Sequence, residues 1–313
     1  MTTKTPEQLI EECGAWWDTA IIEIHPGEIA IRGYPIEQLI GRLRFPDMIW
    51  LMLRGELPSR GQSDLLEAAL VPGVDHGPHA PSIAIARMAV TCGLPVNGAM
   101  ASAINVLDDV HGGAGQQCME LYREIDAEAG VDGDLVRAAT TTIERRDRAG
   151  EKIVPGFGHR FHPVDPRTAP LFALLARAEA EGVVTGRYAR IGRAVETALA
   201  GIKKRHIPMN IDGITAVIFC ELGFEPELGR GLFILSRSVG ILAHAWEQKQ
   251  RGRRIMGPMP REIPYRYSGH ARRDVPPPAN VPVQPRDGSV AAPGEPSPPA
   301  SRRTVARASR RNR

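Results

Sequence analysis

The stretch GRGLFILSRSVGILAHAWEQKQ, which opens at Gly229, constrains this chain more than any other. Counting from the residue before it, Leu228, Leu232, Leu235, Val239, Leu242 and Trp246 recur at intervals of four, three, four, three and four. That is one apolar stripe at α-helical period, and a stripe of this kind is expected to face a core. Arg237 lies beside it. A guanidinium next to a buried face needs an anionic partner, because burying a lone charge is costly.

The rest of the chain reads the same way. Helices are expected at 80–91, 96–109, 113–128, 133–148, 168–181, 186–203 and 211–222. Pro35, Pro46 and Pro58 each stand where a helix would begin, ahead of PIEQLIGRL, within PDMIWLMLRG and before a helix from Ser59 to Leu70. One segment departs from this: around His25-Pro26-Gly27 apolar residues alternate, which predicts a β-hairpin over residues 20–32. With no βαβ alternation, the fold class is mainly α, and a Rossmann or barrel enzyme is disfavoured.

Composition narrows the function. Aromatics are only 5% of 313 residues, too few for a platform that stacks single-stranded nucleic acid. No apolar run approaches the roughly 18 residues of a membrane span, and acidic residues stand where a secretory signal would need an apolar core; the expectation is a cytoplasmic protein without a membrane partner. Cys13, Cys92, Cys118 and Cys220 are scattered without paired spacing and read as buried thiols. No HExxH, Cys/His cluster or DxDxDG loop suggests a metal. The net charge of +3 averages two unlike parts. Residues 275–313 are rich in Pro and Arg, carry no aromatic residue and are expected to be disordered. Such a basic tail is either a solvated extension or a nonspecific binder of nucleic acid or acidic lipid.

Three loops place a titratable side chain where a helix begins or a Gly-rich turn opens. In DDVHGGAGQQCMELY, His111 precedes two glycines and a helix start. A neutral imidazole there can donate to a developing enolate oxygen; alternatively it is a turn residue satisfied by backbone. In KIVPGFGHRFHPVDPRTAP, His159, Arg160 and Arg167 suggest a pocket for a carboxylate, or else a solvated basic loop. In HIPMNIDGITAVIFCELGF, Asp212 heads an apolar helix, as a catalytic carboxylate or as a simple cap.

Together these motifs resemble the citrate synthase superfamily in order and wording: HGGA, then GFGHR…DPR, then NID, then SRSVGILAHAWEQ, with RGYPIEQLI, LRGELP and VDHGPHAPS upstream. The likeness spans roughly residues 20–270. It implies a two-domain, mainly α-helical fold with a short N-terminal hairpin, working as a homodimer. The large domain would comprise residues 1–123 and 238–274, and the small domain 124–237. By motif, His111 would bind the thioester carbonyl of an acetyl-CoA unit, Asp212 would exchange its α-proton, and His159 would bond the keto oxygen of oxaloacetate. Arg167 and Arg237 would hold carboxylates with help from His76. The loop with Lys152, Pro155, Gly156, Gly158 and Arg160 would lie against CoA, a substrate thioester and not a tightly bound cofactor. A third carboxylate-binding arginine, supplied in the family by the neighbouring subunit, matches Arg261; an alignment on Ile-Met-Gly-Pro puts Met259 there instead.

Three departures bear on direction. The chain is short beside full-length citrate synthases, Gly77 gives DHG where synthases have DHE, and Gly115 gives HGGAG where HGGAN is common. The first two resemble citryl-CoA lyases. The preferred expectation is therefore cleavage of citryl-CoA to acetyl-CoA and oxaloacetate. The alternatives are a citrate or 2-methylcitrate synthase that releases CoA, and a non-catalytic dimeric relative.

Overall fold

The computed structural model describes residues 4–131, 133–159, 163–257, 260 and 262–275. Backbone contacts divide the chain into Met1–Pro260 and Arg261–Arg313. All regular structure among the described residues lies in the first unit; in the second, residues 262–275 form no helix or strand. The Arg-rich segment beyond Val275 falls outside the described residues.

The chain opens with helix α1 (Pro6–Trp16), then a three-stranded antiparallel sheet of β1 (Ile22–His25), β2 (Glu28–Ile31) and β3 (Tyr34–Pro35). The hairpin is the expected one, closed at Pro26-Gly27 with Gly27 at φ +84°. The third strand and α1 were not expected. Then follow α2 (Ile36–Leu39), α3 (Phe45–Arg54), α4 (Arg60–Leu70), a 3-10 turn Val71–Gly73, α5 (Pro81–Thr91), α6 (Val96–Ile104), α7 (Ala114–Ala129) and α8 (Leu135–Arg148). The order ends with α9 (Thr168–Ala180), α10 (Arg187–Lys203), α11 (Ile211–Glu221) and α12 (Pro226–Arg251). Local sequence explains most boundaries. Ser59 and Gln62 form a reciprocal capping box on α4, and Asp134 caps α8. Two expected helices are shorter than their apolar pattern. PIEQLIGRL gives a single turn, and the helix expected over 96–109 stops at Ile104. Pro35 lies in β3 and Pro58 just outside α4, so neither is a first-turn proline.

Two apolar clusters hold the helices together. The larger surrounds α11, whose Ile214, Ala216, Val217, Ile218, Phe219 and Cys220 are all buried among Tyr122, Ile191, Leu199 and Phe224. A helix apolar on every side belongs at the centre. The smaller joins α5, α6 and α12 through Ile83, Ala86, Ala99, Ala103, Ile241 and Ala245. Cys118 and Cys220 are buried as expected, but Cys13 and Cys92 are exposed. Cys13 sits on α1, a helix without a buried residue, and Cys92 lies just past the end of α5.

The long helix is where expected, but most of its apolar stripe faces outward. Leu235, Val239, Leu242 and Trp246 are 48%, 59%, 44% and 51% exposed; of the stripe only Leu232 is buried, with Leu228 packed partly against the larger cluster. The buried face instead carries Gly229, Ser236, Arg237, Gly240, Ile241 and Ala245. Small residues win because another stretch of backbone lies directly on the helix. A Cβ on Gly240 would run into the carbonyl oxygen of Val74, and Ser236 Oγ donates to the carbonyl of Leu70 at 2.6 Å. Apolar periodicity is blind to a face built for close approach.

Candidate active site

The N-terminus of α11 builds the acidic wall of the site. Asn210, not Asp212, caps this helix: its Oδ1 accepts from the N–H groups of Asp212 and Gly213 at 2.9 and 3.2 Å. The same side chain donates through Nδ2 to the carbonyl of Gly158 at 2.6 Å, and the Asn210 N–H donates to the carbonyl of Gly156 at 2.9 Å. The loop carrying His159 is thus fastened to the helix carrying Asp212. The contact needs two glycines. A Cβ on Gly213 would strike the Gly156 carbonyl oxygen, and Gly156 itself sits at φ +84° against Gly213. Relieved of capping, the Asp212 carboxyl lines the cavity. Burial raises its pKa, and the opposing charges of Arg167 and Arg237 do not cancel that effect.

Asp165 stands behind this wall. Fully buried, it takes Arg167 Nε and Nη2 on its two oxygens at 2.9 and 2.8 Å and the N–H of Ile211 at 3.1 Å. Burial would raise its pKa, but the hydrogen bonds and charge of Arg167 and the Ile211 amide hold it down at about 2.

The opposite wall is the loop between α6 and α7. Arg230 of α12 pairs with Asp108 at 2.6 Å and with Asp109, pinning the turn. Gly112, at φ +109°, follows His111 closely against Phe233 and Leu107. The imidazole is tied from behind: the Ser82 N–H donates to His111 Nε2 at 3.1 Å, and Ser82 Oγ lies 3.0 Å from the same atom. A backbone N–H can only donate, so Nε2 holds a lone pair and the ring proton sits on Nδ1. Ser82 is the second residue of α5, where amides have no partner within the helix and the dipole opposes a cation. Burial, then the charges of Arg237 and His76, lower the His111 pKa further. The imidazole is neutral at pH 7, with its Nδ1–H unclaimed by any described residue.

Arg237 lies over the Phe233 ring, 4.9 Å from its centroid, and donates through Nε to the carbonyl of Gly73 at 3.0 Å. It is buried, and no carboxylate among the described residues pairs with it. His76 stands edge-on to His159 at 6.0 Å between ring centroids. Its pKa is lowered by burial and by Arg167, Arg237 and His159.

One cavity of about 180 Å³ is therefore lined by His76, His111, His159, Arg167, Asp212 and Arg237 together. It is a positively biased pocket suited to a small anion bearing several carboxylates. Lys152 and Pro155 line a different groove of about 570 Å³, with Gln117, Glu120 and Arg146. Gly156 and Gly158 shape the loop between. Arg160, Met259 and Arg261 lie outside the described residues. Sequence reading missed Ser82, Asp165, Asn210 and Arg230. The clues were a serine just inside a proline-started helix, and an Asn two residues ahead of the Asp assigned to the cap.

The family model for the citrate synthase C-terminal domain matches residues 14–71 and 59–259. The chain belongs to the citrate synthase family. Citrate synthase of Haloferax volcanii is 30% identical to it over 230 residues, covering 72% of this chain and 55% of that relative. Citrate synthase 2 of Bacillus subtilis is 30% identical over 207 residues, covering 65% and 52%. The chain spans about half the length of the curated citrate synthases it matches. Among solved structures, citryl-CoA lyase of Hydrogenobacter thermophilus matches with a TM-score of 0.73 at 30% identity, covering 83% of this chain and 97% of that one. ATP citrate lyase of Methanothrix soehngenii, solved with citrate and coenzyme A, shares the fold with a TM-score of 0.68 at 21% identity, covering 86% and 45%. The mainly α citrate synthase-like fold expected from the motifs is the fold observed. No helix among the described residues is long and apolar enough to cross a membrane.

Proposed function

We propose that the protein makes and breaks the carbon–carbon bond between the methyl carbon of acetyl-CoA and the carbonyl carbon of oxaloacetate, and that it runs toward cleavage of citryl-CoA. One observation carries the reading: a neutral His111, His159, Asp212 and two guanidiniums converge on one cavity. In cleavage, the citryl hydroxyl gives its proton to the His159 imidazole as the carbonyl of oxaloacetate re-forms. The carbon–carbon bond breaks, and its electron pair moves into the thioester as an enolate. The Nδ1–H of His111 stabilises the enolate oxygen. Asp212, its pKa raised by burial, delivers a proton to the methylene carbon and completes acetyl-CoA. Arg167, Arg237 and His76 hold the carboxylates, with Arg237 offering a buried guanidinium that forms no ion pair with a described residue.

Support for cleavage comes from the citryl-CoA lyase match, which covers nearly all of that enzyme, whereas the curated citrate synthases are matched over about half their length. The synthase direction is the second reading, favoured by the names of those relatives; it adds hydrolysis of citryl-CoA and release of CoA. Coenzyme A would lie along the groove of Lys152 and Pro155 as part of the substrate. The protein would work as a homodimer, a reading the exposed stripe of Leu235, Val239, Leu242 and Trp246 supports. Residues 124–237 would close as a small domain over a large one made of 1–123 and 238–274.

The test mixes purified protein with citryl-CoA and follows oxaloacetate, acetyl-CoA, citrate and free CoA. Oxaloacetate and acetyl-CoA without free CoA are expected. Citrate with free CoA would establish the synthase reading, and no turnover or binding of CoA esters would overturn both.

A further inference from the structure

The segment that brings Gly73 and His76 to the cavity has little structure of its own, and α12 holds it along one face. Ser236 and Arg237 donate to the carbonyls of Leu70 and Gly73. Gly240 lets the backbone of Val74 lie on the helix. One turn later, His244 Nε2 lies 3.3 Å from Asp75 Oδ2. Arg87 of α5 sets the roles of that ring. Its Nη1 lies 3.2 Å from His244 Nδ1, and a guanidinium can only donate, so Nδ1 accepts and Nε2 carries the proton toward Asp75. The same Nη1 donates to Glu247 at 2.7 Å, which holds Arg87 in place. Asp75 immediately precedes His76; burial raises its pKa, but His244 and, after it, the nearby backbone amides of His76 and Gly77 lower it. Gly77, at φ +79°, turns the chain in the left-handed region directly after His76, and its carbonyl accepts from the Ala80 N–H at 3.1 Å.

We infer that His244 is a positioning residue: through Asp75 it fixes the turn that aims His76 into the cavity, with Arg87 and Glu247 fixing its tautomer. None of the three lines the cavity. The SRSVGILAHAWEQ motif thus does two jobs on one helix, offering Arg237 to the ligand and orienting His76 from behind. The affinity arm of the test rests on the oxaloacetate reading above; the exchange arm does not.

Oxaloacetate binding is measured by calorimetry on the full chain for wild type, His244→Ala, His244→Gln, His76→Ala and the double alanine variant. Losing a hydrogen bond to a charged partner predicts about tenfold weaker binding for His244→Ala. Gln, which keeps an N–H donor, retains most of the affinity. In the His76→Ala background, His244→Ala costs nothing further, because both act through one group. An equal loss in both backgrounds, or no loss at all, overturns the inference. Amide hydrogen exchange at His76 and Gly77, read without ligand, accelerates in His244→Ala without a comparable fall in Tm and returns toward wild type in His244→Gln. Unchanged exchange overturns the inference whatever binds. If wild type takes no oxaloacetate, the functional reading fails and the exchange result alone decides the role of His244.

Discussion

The Ser82 amide donates to Nε2 of His111 across 3.1 Å, which ties the chemistry of the site to the first turn of α5. Ser82→Ala keeps that amide and loses only the hydroxyl, so kcat should fall by roughly three- to tenfold. His111→Ala removes the donor itself and should cost about a hundredfold or more. Equal losses for the two variants, in steady-state kinetics at pH 7, would mean that the Ser82 hydroxyl and not the His111 ring makes the decisive contact.

Asp212→Asn should abolish exchange of the acetyl-CoA α-proton, followed by NMR in deuterated water, while oxaloacetate still binds. Stability should move the other way. A folded pKa raised above the ordinary 3.8 is a contribution present at low pH and lost as pH rises through the folded value. The Asn variant should therefore show a higher Tm than wild type at pH 7, with the gap closing toward pH 4.

Asp165 has the opposite sign. Held at about 2, its contribution is complete above the ordinary carboxylate range and is lost as pH falls from about 4 to about 2. Asp165→Asn should cost about 3 kcal/mol at pH 7, because it strips the buried end of Arg167 of its partner. The cost should shrink steadily in denaturant titrations repeated at lower pH.

Arg237→Leu should weaken oxaloacetate binding by roughly 10- to 100-fold. Without ligand, the same variant should be no less stable than wild type, since a buried guanidinium without a carboxylate partner is costly to fold around. At equal concentration, oxaloacetate should raise the Tm of the variant less than that of wild type. Wild-type affinity in Arg237→Leu would remove this arginine from the pocket.

Chemistry was more legible in the sequence than geometry. His111, His159, Arg167 and Asp212 stand out because imidazoles, carboxylates and guanidiniums sit beside Gly or Pro where loops turn into helices. Arg237 is noticed beside the apolar stripe of α12, and His76 comes only with the family motif. Their supports do not stand out. Ser82 acts mainly through a backbone amide, which every residue but proline carries. Gly156 and Gly213 matter for the side chains they lack. The outward stripe of α12 shows the limit of periodicity: it finds a helix but not which side of it is buried when the buried side is Gly, Ser and Ala.

The glycine pair has a consequence for specificity. With Gly156 against Gly213 and Asn210 bonded to Gly158, the segments that bear His159 and Asp212 are joined like a single casting. A bulkier acid must find its room on the far side, where residues 70–77 and 107–113 hang from α12 by hydrogen bonds and ion pairs. Under the proposed function, selection for a new acyl chain would rewrite those suspended loops and leave the casting untouched.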